Sequence, residues 1–343
     1  MTSPPSGHAA AVAAPVVGRP PALRLRALLA GRAARSLLDQ AVVSGAGLGV
    51  AVLLARCSEP RELGLYGLGF SVIAGLYAVQ AALLTTPYAL LRQRRPDGAP
   101  RAAGTAAVLQ LTLASVAAAV LVAVSLLAPG ELGAVLNAAA WAGPLLLGRE
   151  FVRRMAYGRL HVGAALAIDV PTAAVQVGLL VALGLGGRLT AVTALAALGG
   201  GAAVGLMIGG LLLRPHVAWP GRRWRAYAAW SWRCGRWIAA AQALTAANAH
   251  GLLWLVAFTL DTQAAGVFAA CLWVVMLTNP FVYGLGNLLT PRTAEAWARE
   301  GAAGLHRLVL RATAVLAAAT GGFALLLTVA GAAVLAALYG PGY

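Results

Sequence analysis

One sequence pattern occurs twice in this chain, first as 63-LGLYGLGFSVI-73 and again, 202 residues later, as 265-AGVFAACLWVV-275. In both copies a glycine precedes an aromatic residue by two positions, and an apolar run follows. A threonine–proline pair recurs at nearly the same offset, in 85-TTPYALLRQRR-95 and 290-TPRTAEAWAR-299, and arginines follow it both times. The repetition predicts that the chain contains two related halves.

The composition favours lipid as the solvent of these halves. Of the 343 residues 60% are hydrophobic and only 10% are charged, whereas a soluble protein has roughly 25% charged residues. Too little polar surface remains to cover a water-soluble globule. The 26 basic residues are all arginine. The three cysteines are too isolated in the sequence to predict a disulfide framework or a metal site.

Nine apolar runs approach the roughly 20 residues that a helix needs to cross a bilayer. They are continuous and lack the alternation of a membrane β-barrel, so we predict an all-α integral membrane protein. The predicted spans are 37–54, 65–91, 105–128, 132–148, 162–186, 189–213, 237–260, 264–290 and 312–338.

The arginines predict which ends of the spans face the cytoplasm, because arginine-rich short connections stay on that side. Of the 26 arginines, 23 fall in the N-terminal tail and in the second, fourth, sixth and eighth connections. The other side has only Arg56, Arg61 and Arg188. We therefore expect a cytoplasmic N-terminus. The net charge of +16 is explained by topology and requires no nucleic-acid partner.

Four regions follow from the spans. We expect a cytoplasmic tail at 1–36, disordered or lying on the membrane surface, and a first lobe of six spans at 37–213. The connection 214–236 is rich in arginine and tryptophan. This pattern favours an interfacial helix on anionic headgroups over base stacking on a nucleic acid. A partial second lobe of three spans occupies 237–343.

Matching copies six spans apart enter the membrane from the same side, which is the parallel repeat of many transporters. Two six-helix bundles related in this way can enclose a cavity, and rocking exposes that cavity to each face in turn. About twelve spans or more are then expected, so we expect this chain to be incomplete. A genuine shorter variant that dimerises is the alternative.

Three stretches resemble a known family: 37-LLDQAVVSGAGLGVAVLLARCSEPRELGLYGLGFSVI-73, 258-FTLDTQAAGVFAACLWVV-275 and 287-NLLTPRTAEAWARE-300. They are similar to polysaccharide and O-antigen flippases of the multidrug/oligosaccharidyl-lipid/polysaccharide (MOP) exporter superfamily. The shared features are an Asp-Gln near the start, a Leu-Ala-Arg that ends the first span, and a Pro-x-Glu-Leu-Gly-x-Tyr loop.

The resemblance implies a V-shaped, two-lobe fold with a central cavity in the bacterial cytoplasmic membrane. It also implies that a lipid-linked saccharide is moved to the outer leaflet, next to a polysaccharide polymerase or glycosyltransferases as partners. One departure is the seventh span, where relatives often have charged residues and this chain has 245-TAANAHGLL-253. That departure argues against ion coupling by this helix.

A saccharide headgroup needs a polar path through hydrocarbon, and an ionisable residue inside a span is a functional candidate by default. Asp169 lies about 10 Å inside the fifth span, two residues before Pro171. Because proline lacks an N–H, it leaves the carbonyl of Ala167 without its helical partner. We expect Asp169 to bind a proton or a sodium ion. An interfacial acid paired with an arginine such as Arg159 is the alternative.

The remaining polar candidates each have a structural alternative. Asp39 and Gln40 enter the first span at its cytoplasmic edge, where the helix dipole alone would favour an acid. Asn248 and His250 lie in the middle of the seventh span, and the histidine is either a charge switch or a neutral hydrogen-bonding group. Three further amides line the cavity or bond helix to helix: Gln80, Gln176 and Asn279.

Arginines and prolines complete the candidate set. Arg92, Arg149 and Arg153 fall in predicted cytoplasmic connections, where they meet a substrate pyrophosphate or act only as topology determinants. Pro87, Pro171 and Pro291 are hinge candidates because proline removes a helical hydrogen bond; simple helix ends are the alternative. No cofactor, metal site or catalytic residue is expected. Transport would be coupled to a proton or sodium gradient.

Other functions are less well supported by the sequence. A membrane transferase needs clustered acids for magnesium or a nucleophile with a base, and the ten acids are scattered without a DxD, DDxxD or HExxH motif. We therefore do not expect an enzyme. The alternatives that stay open are a drug or cation exporter of the same superfamily and a non-transporting membrane scaffold.

Overall fold

The structure is a computed structural model that describes residues 21–159, 162–221 and 224–340. Within these ranges it contains ten α-helices and no strand. The helices are α1 (Pro21–Cys57), α2 (Pro60–Gln80), α3 (Thr86–Arg94), α4 (Ala99–Leu127), α5 (Gly130–Gly158), α6 (Val162–Leu185), α7 (Ala191–Leu213), α8 (Trp224–Thr259), α9 (Thr262–Val275) and α10 (Asn279–Tyr339). The predicted all-α class is confirmed.

The helices follow the predicted spans, and several boundaries differ. By length and composition, six stretches of the described chain can cross a membrane: Ala34–Cys57, Pro60–Arg94, Ala99–Leu127, Val162–Leu185, Ala191–His216 and Glu300–Tyr339. Helices α5, α8 and α9 occupy the other three predicted spans. The second span is α2 and α3 joined by a five-residue π-helix, Ala81–Thr85. The eighth span is interrupted by a 3-10 turn, Met276–Thr278.

Two expectations about the ends of the first lobe need correction. Helix α1 begins at Pro21, so the described part of the tail, residues 21–36, is helical rather than disordered; residues 1–20 lie outside the described ranges. The connection 214–236 does not form a separate surface helix, because α8 runs without interruption from Trp224 to Thr259. Its residues from Trp224 onward therefore belong to the first turns of α8.

The repeat is visible in the helix ends. Helix α1 ends at Cys57 and α8 at Thr259, and α2 begins at Pro60 and α9 at Thr262, at the same offset of 202 residues. Helices α1 and α8 therefore correspond, as do α2 and α9.

Helices α2 and α9 pack against each other through their repeated glycines. A Cβ at Gly64 would lie 2.1 Å from the Thr262 carbonyl oxygen, and one at Gly266 would lie 1.8 Å from the Pro60 carbonyl oxygen. No side chain other than hydrogen fits at either position, so the two backbones are in direct contact. The two halves are closed against each other at this end of the bundle, which the arginine distribution predicts to be the outer end.

Close packing also fixes the helices that surround the functional residues. A Cβ at Gly205 of α7 would lie 2.2 Å from the Thr172 hydroxyl oxygen on α6, so α7 presses directly on the turn after Asp169. At the other end of the first lobe, the Glu62 carboxylate accepts a hydrogen bond of 2.6 Å from the Ala191 N–H at the start of α7. The carboxylate supplies one of the partners that a helix N-terminus lacks.

Candidate functional site

A cavity lies between the two halves, bounded by α1 and α2 on one side and by α8 and α9 on the other. Its larger part, the apolar compartment, has a volume of about 410 Å³. Aromatic and aliphatic side chains dominate its lining, which includes Gln40, Leu48, Phe70, Tyr77, His250, Leu253, Leu272, Trp273 and Met276. Such a wall suits an apolar or amphiphilic ligand.

An adjoining charged compartment of about 270 Å³ extends the cavity toward α5 and α6. The two compartments share lining residues: Gln40, Val43, Gly47, Phe70, Tyr77 and Trp273. The charged compartment adds a cluster of ionised side chains that reaches its wall at Arg149, Glu150, Arg153 and Asp169. We call Asp39, Arg149, Glu150, Arg153, Arg154 and Asp169 the ion cluster.

Arg153 is the centre of the ion cluster. Its Nε donates to Asp169 Oδ2 at 2.5 Å, and its Nη2 donates to Asp39 Oδ2 at 2.9 Å. Arg149 donates to the other oxygen of Asp169, and the Tyr157 hydroxyl donates to Asp39. One guanidinium therefore joins acids from two helices, α1 and α6, to α5.

Glu150 balances the remaining positive charge. Arg154 Nε donates to Glu150 Oε1 at 2.6 Å, and guanidinium nitrogens of Arg149 and Arg153 lie 3.7 Å from Glu150 Oε2. The cluster thus contains three carboxylates and three guanidinium groups. Asp39 is 0% exposed and Asp169 is 1% exposed, which is sustainable only because each carboxylate has a cationic partner.

The ion cluster retains unused hydrogen-bonding capacity. Among the described residues, Asp39 Oδ1 and Arg149 Nε are buried and have no hydrogen-bond partner. A buried polar atom without a partner costs free energy. One unsatisfied acceptor and one unsatisfied donor therefore remain in the cluster, where a proton, a water molecule or a ligand oxygen would relieve that cost.

The extent of α5 explains how the arginines reach the cavity. The predicted fourth span ends at residue 148, which would leave Arg149 and Arg153 in a loop, but α5 continues to Gly158. The two arginines are four positions apart and therefore share one face of the helix. The predicted span ends too early because a search for apolar runs counts every charged residue as unfavourable. In α5, however, Glu150 forms ion pairs with Arg153 and Arg154, three and four residues later.

Asp169 has the arginine partners that its structural alternative expected, although not Arg159, whereas Asp39 departs from its alternative. Asp169 contacts Arg149 and Arg153 and not Arg159. Asp39 lies well inside α1, which begins at Pro21, so it is not an acid at a helix N-terminus. Arg153 and Tyr157 hold it instead.

The predicted amides and the histidine fall in different places. Gln40 lines both compartments, Gln176 lines the charged one, and the half-buried His250 lines the apolar one. Gln80 lines neither: its Nε2 donates to Gln110 Oε1 at 2.7 Å and to the Leu147 carbonyl at 2.6 Å, and so it joins α2 to α4 and α5. Asn248 is exposed on α8 and lines neither compartment. The side chain of Asn279 lies outside the described residues.

The remaining candidates are not members of the ion cluster, although Pro171 is only two residues from Asp169. Arg92 donates to the carbonyl of Gly158, the last residue of α5. Pro87 is buried just after the π-helix, and Pro171 lies inside α6. The backbone is helical at Pro291, whose side chain is outside the described set; the non-helical residue of α10 is Gly301, with φ 61° and ψ −149°. The hinge roles stay predictions.

Sequence reasoning missed three residues that line the cavity, Tyr77, Glu150 and Trp273, and also Tyr157, which donates to Asp39. A signal existed for Glu150, since it is the only acid within 149-REFVRR-154. The aromatic residues carry no such signal, because they do not differ in sequence from ordinary membrane-helix residues. Across the described ranges, no group of three or more histidine, cysteine or acidic side chains is placed to hold a metal ion.

No protein-family model matches this chain, and no curated protein matches it by sequence. Solved structures do match. The fold resembles an inward-facing multidrug resistance MATE family transporter of the MOP superfamily, with a TM-score of 0.68 and 19% identity over 88% of this chain and 73% of that one. An outward-facing MATE family transporter matches with a TM-score of 0.61 and 17% identity over 88% and 72% of the two chains.

A third match is a MOP superfamily transporter from Pyrococcus furiosus, described as having a binding pocket of reverse polarity. Its TM-score is 0.61 at 17% identity, over 90% of this chain and 72% of that one. At these identities the likeness establishes the fold, so the predicted MOP-type helical bundle is confirmed. Membership of the polysaccharide flippases within that superfamily stays a prediction.

Proposed function

We propose that this protein is a membrane exporter that moves a lipid-linked oligosaccharide or polysaccharide precursor across the bacterial cytoplasmic membrane by alternating access. The observation that carries the proposal is the cavity between the halves, in which a charged compartment adjoins an apolar compartment. A lipid-linked saccharide has the same division, with a phosphate-bearing polar end and a hydrocarbon end.

The arginines of the charged wall are suited to the phosphate end. Arg149 has an unpartnered buried Nε, and both Arg149 and Arg153 present guanidinium groups to the charged compartment. A pyrophosphate would compete with Asp169 for these groups, because phosphate oxygens and carboxylates use the same bidentate geometry. Asp169 would then be released and would take up a proton or a sodium ion, which couples substrate binding to an ion gradient.

The closed end of the bundle supports the direction of access. The backbones of α2 and α9 touch at Gly64 and Gly266, whereas the lining of the cavity extends along α2 from Gly67 to Tyr77, away from that contact. If the two glycines separated at the outer end and the two halves closed together at the cytoplasmic end, the cavity would be exposed to the outside. Solved structures that share this fold occur in both inward-facing and outward-facing conformations.

A drug or cation exporter is the second candidate, and the aromatic wall favours it. Phe70, Tyr77 and Trp273 line both compartments, and aromatic faces attract organic cations. Every acid of the ion cluster, however, already has an arginine partner. A cationic substrate would have to displace an arginine, just as a pyrophosphate would have to displace Asp169, so a transport measurement must decide between the two candidates.

Transport in proteoliposomes distinguishes the two candidates. The purified protein would be reconstituted with a fluorescent lipid-linked oligosaccharide, and the fraction that a membrane-impermeant reductant bleaches would be followed in time. Arg149→Lys keeps the charge and loses the planar fork, and we expect it to slow flipping about tenfold. Arg307→Lys is the matched control, since Arg307 forms an exposed pair with Glu300, away from the cavity.

Other outcomes contradict the proposal. Efflux of ethidium without flipping of the labelled lipid would establish the drug exporter. If the folded protein moves neither compound, the scaffold alternative is correct. Equal flipping by Arg149→Lys and the unchanged protein would remove the assigned role of the charged wall.

A further inference from the structure

A second cavity lies outside the space between the halves, where the end of α3, the start of α4 and the first turns of α8 meet. Its volume is about 720 Å³. We call it the basic aromatic pocket, and its main lining residues are Arg94, Arg95, Arg101, Trp224, Tyr227 and Trp230. It shares no lining residue with either compartment of the inter-half cavity.

The charge of this pocket is positive and uncompensated. None of its three arginines forms an ion pair with another described residue, and no acid lines the pocket. Asp97 is close in sequence, in the turn Pro96–Gly98, but it is not part of the lining. The ion cluster differs, because there every guanidinium faces a carboxylate. Three arginines without a carboxylate partner among the described residues give the pocket a positive charge that suits an anion.

Aromatic rings form the other wall. The ring centroids of Tyr227 and Trp230 are 6.0 Å apart, and Arg225 covers the ring of Trp224 at 5.4 Å. The Tyr227 hydroxyl is buried and has no partner among the described residues. Burial raises the pKa of this hydroxyl, so it keeps its proton at neutral pH and remains available as a donor.

Close backbone contacts build the pocket in advance. The Ala218 N–H donates to the Pro100 carbonyl at 3.0 Å, and a Cβ at Gly104 would lie 1.9 Å from the Ala218 carbonyl oxygen. The segment that leads into α8 is thus pressed onto the first turns of α4. In addition, Ser231 donates to the Leu83 carbonyl at 2.5 Å and holds the start of α8 against the π-helix. The walls are in position before any ligand arrives.

The pocket lies at the ends of membrane helices, on the side that the arginine distribution predicts to be cytoplasmic. Arginine, tryptophan and tyrosine are typical of this depth, where headgroup phosphates lie. A soluble anion would need only the arginines, whereas Leu91, Ala102 and Ala226 add apolar lining beside them. The combination fits a ligand that has a phosphate and hydrocarbon in one molecule.

We propose that the basic aromatic pocket binds the phosphate headgroup of an anionic phospholipid from the cytoplasmic leaflet. The guanidinium groups of Arg94, Arg95 and Arg101 hold the phosphate, and the rings of Trp224 and Trp230 pack along the glycerol and the upper acyl chain. The bound lipid links the first half, through α3 and α4, to the second half, through α8. This site does not depend on which substrate uses the inter-half cavity.

Lipid retention measured by native mass spectrometry tests the proposal on the purified protein. The protein would be titrated with phosphatidylglycerol and, separately, with phosphatidylcholine. The triple variant R94Q/R95Q/R101Q removes the phosphate ligands. The matched control R233Q/R236Q/R311Q removes the same number of exposed arginines, none of which lines the pocket.

We expect phosphatidylglycerol to bind about tenfold more weakly to the pocket variant than to the control, because each arginine near an anionic headgroup contributes appreciably. Phosphatidylcholine retention should be equal in both. Equal loss of phosphatidylglycerol in the two triple variants would show general surface attraction and overturn the proposal.

Two further experiments, one with single variants and one with a soluble competitor, cover the remaining outcomes. If the triple variant does not fold, R101Q alone should weaken phosphatidylglycerol about threefold against R311Q alone, and equal affinities would contradict the proposal. Inorganic pyrophosphate is the soluble competitor. If it binds the pocket more tightly than phosphatidylglycerol does, the site recognises a free phosphate and the lipid assignment is wrong.

Discussion

Helices α1 and α8 correspond in the repeat, but they bring different chemistry to the inter-half cavity. The first half contributes α1, with Asp39 in the ion cluster, whereas the corresponding α8 contributes His250 and Leu253. The helix ends and the contacting glycines are nevertheless repeated at one offset. The comparison teaches that the repeat preserves how the halves meet, whereas among the described residues the ionised side chains of the cavity lie on α5 and α6 of the first half, with Asp39 of α1 paired to them.

The largest effect is expected at the centre of the charged wall. Arg153→Gln would leave Asp39 and Asp169 buried without their shared partner, and removal of one member of a buried ion pair costs about 3–5 kcal/mol. We expect a large fall in the thermal unfolding midpoint in detergent and loss of transport. The double variant R153Q/D169N should recover part of the stability. An unchanged midpoint in R153Q would show that the charges of this wall are not coupled.

The next effect concerns the shared geometry. Gly64→Ala and Gly266→Ala each insert a methyl group into a backbone contact, at 2.1 Å and 1.8 Å from a carbonyl oxygen. Overpacking of this kind costs about 1–3 kcal/mol, and since the positions are equivalent we expect similar losses in both. Gly75→Ala is the control, because its Cβ would meet no atom within 4 Å. A large inequality between Gly64 and Gly266 would contradict the symmetric contact.

A functional effect with a smaller structural cost is expected at Asp169. Asp169→Asn keeps the size and one hydrogen-bond acceptor for the arginines but removes the charge. We expect transport to fall about tenfold and its pH dependence to flatten, with a stability loss of about 1–3 kcal/mol. Flipping rates measured from about pH 5 to about pH 9, roughly two units on each side of neutrality, test this expectation. Unchanged rates and an unchanged pH profile would exclude Asp169 as the coupling group.

The smallest effect is expected on the apolar wall, at His250. It is half-buried and has no ion-pair partner among the described residues. We expect His250→Gln to transport within about twofold of the unchanged protein and His250→Ala to be weaker by about threefold, in line with a single neutral hydrogen bond. If His250→Gln abolished transport, the histidine would act as a switch and the apolar wall would share the chemistry of the charged one.

The sequence predicts the fold better than it predicts the site, for physical reasons. The hydrophobic runs and the repeated glycine–aromatic pattern specify helices and their correspondence, because membrane burial acts on each run separately. The predicted fourth span ends too early, at residue 148, because the charged residues that follow it pair with one another within α5. A prediction that scores each residue separately does not detect such pairing.

Site residues show the same limit. Asp39 and Asp169 are recognisable because an acid inside an apolar run is costly on its own. Their common partner Arg153 follows only from the way α1, α5 and α6 pack together. Gln80 and Asn248 illustrate the reverse: their polarity is evident in the sequence, but the direction each faces depends on the rotation of its helix within the bundle.

The π-helix Ala81–Thr85 inserts one additional residue into the helical path of the second span. A π turn closes over one residue more than an α turn does, and the Ser231 hydroxyl on α8 satisfies the Leu83 carbonyl within it. If the two halves separated, the hydrogen bond from Ser231 to the Leu83 carbonyl would break, and the π turn could then move along the helix. Its passage would rotate each residue it crosses by about 100°. Since Tyr77 lies before this turn and Arg94 after it, such a movement would connect the inter-half cavity with the basic aromatic pocket.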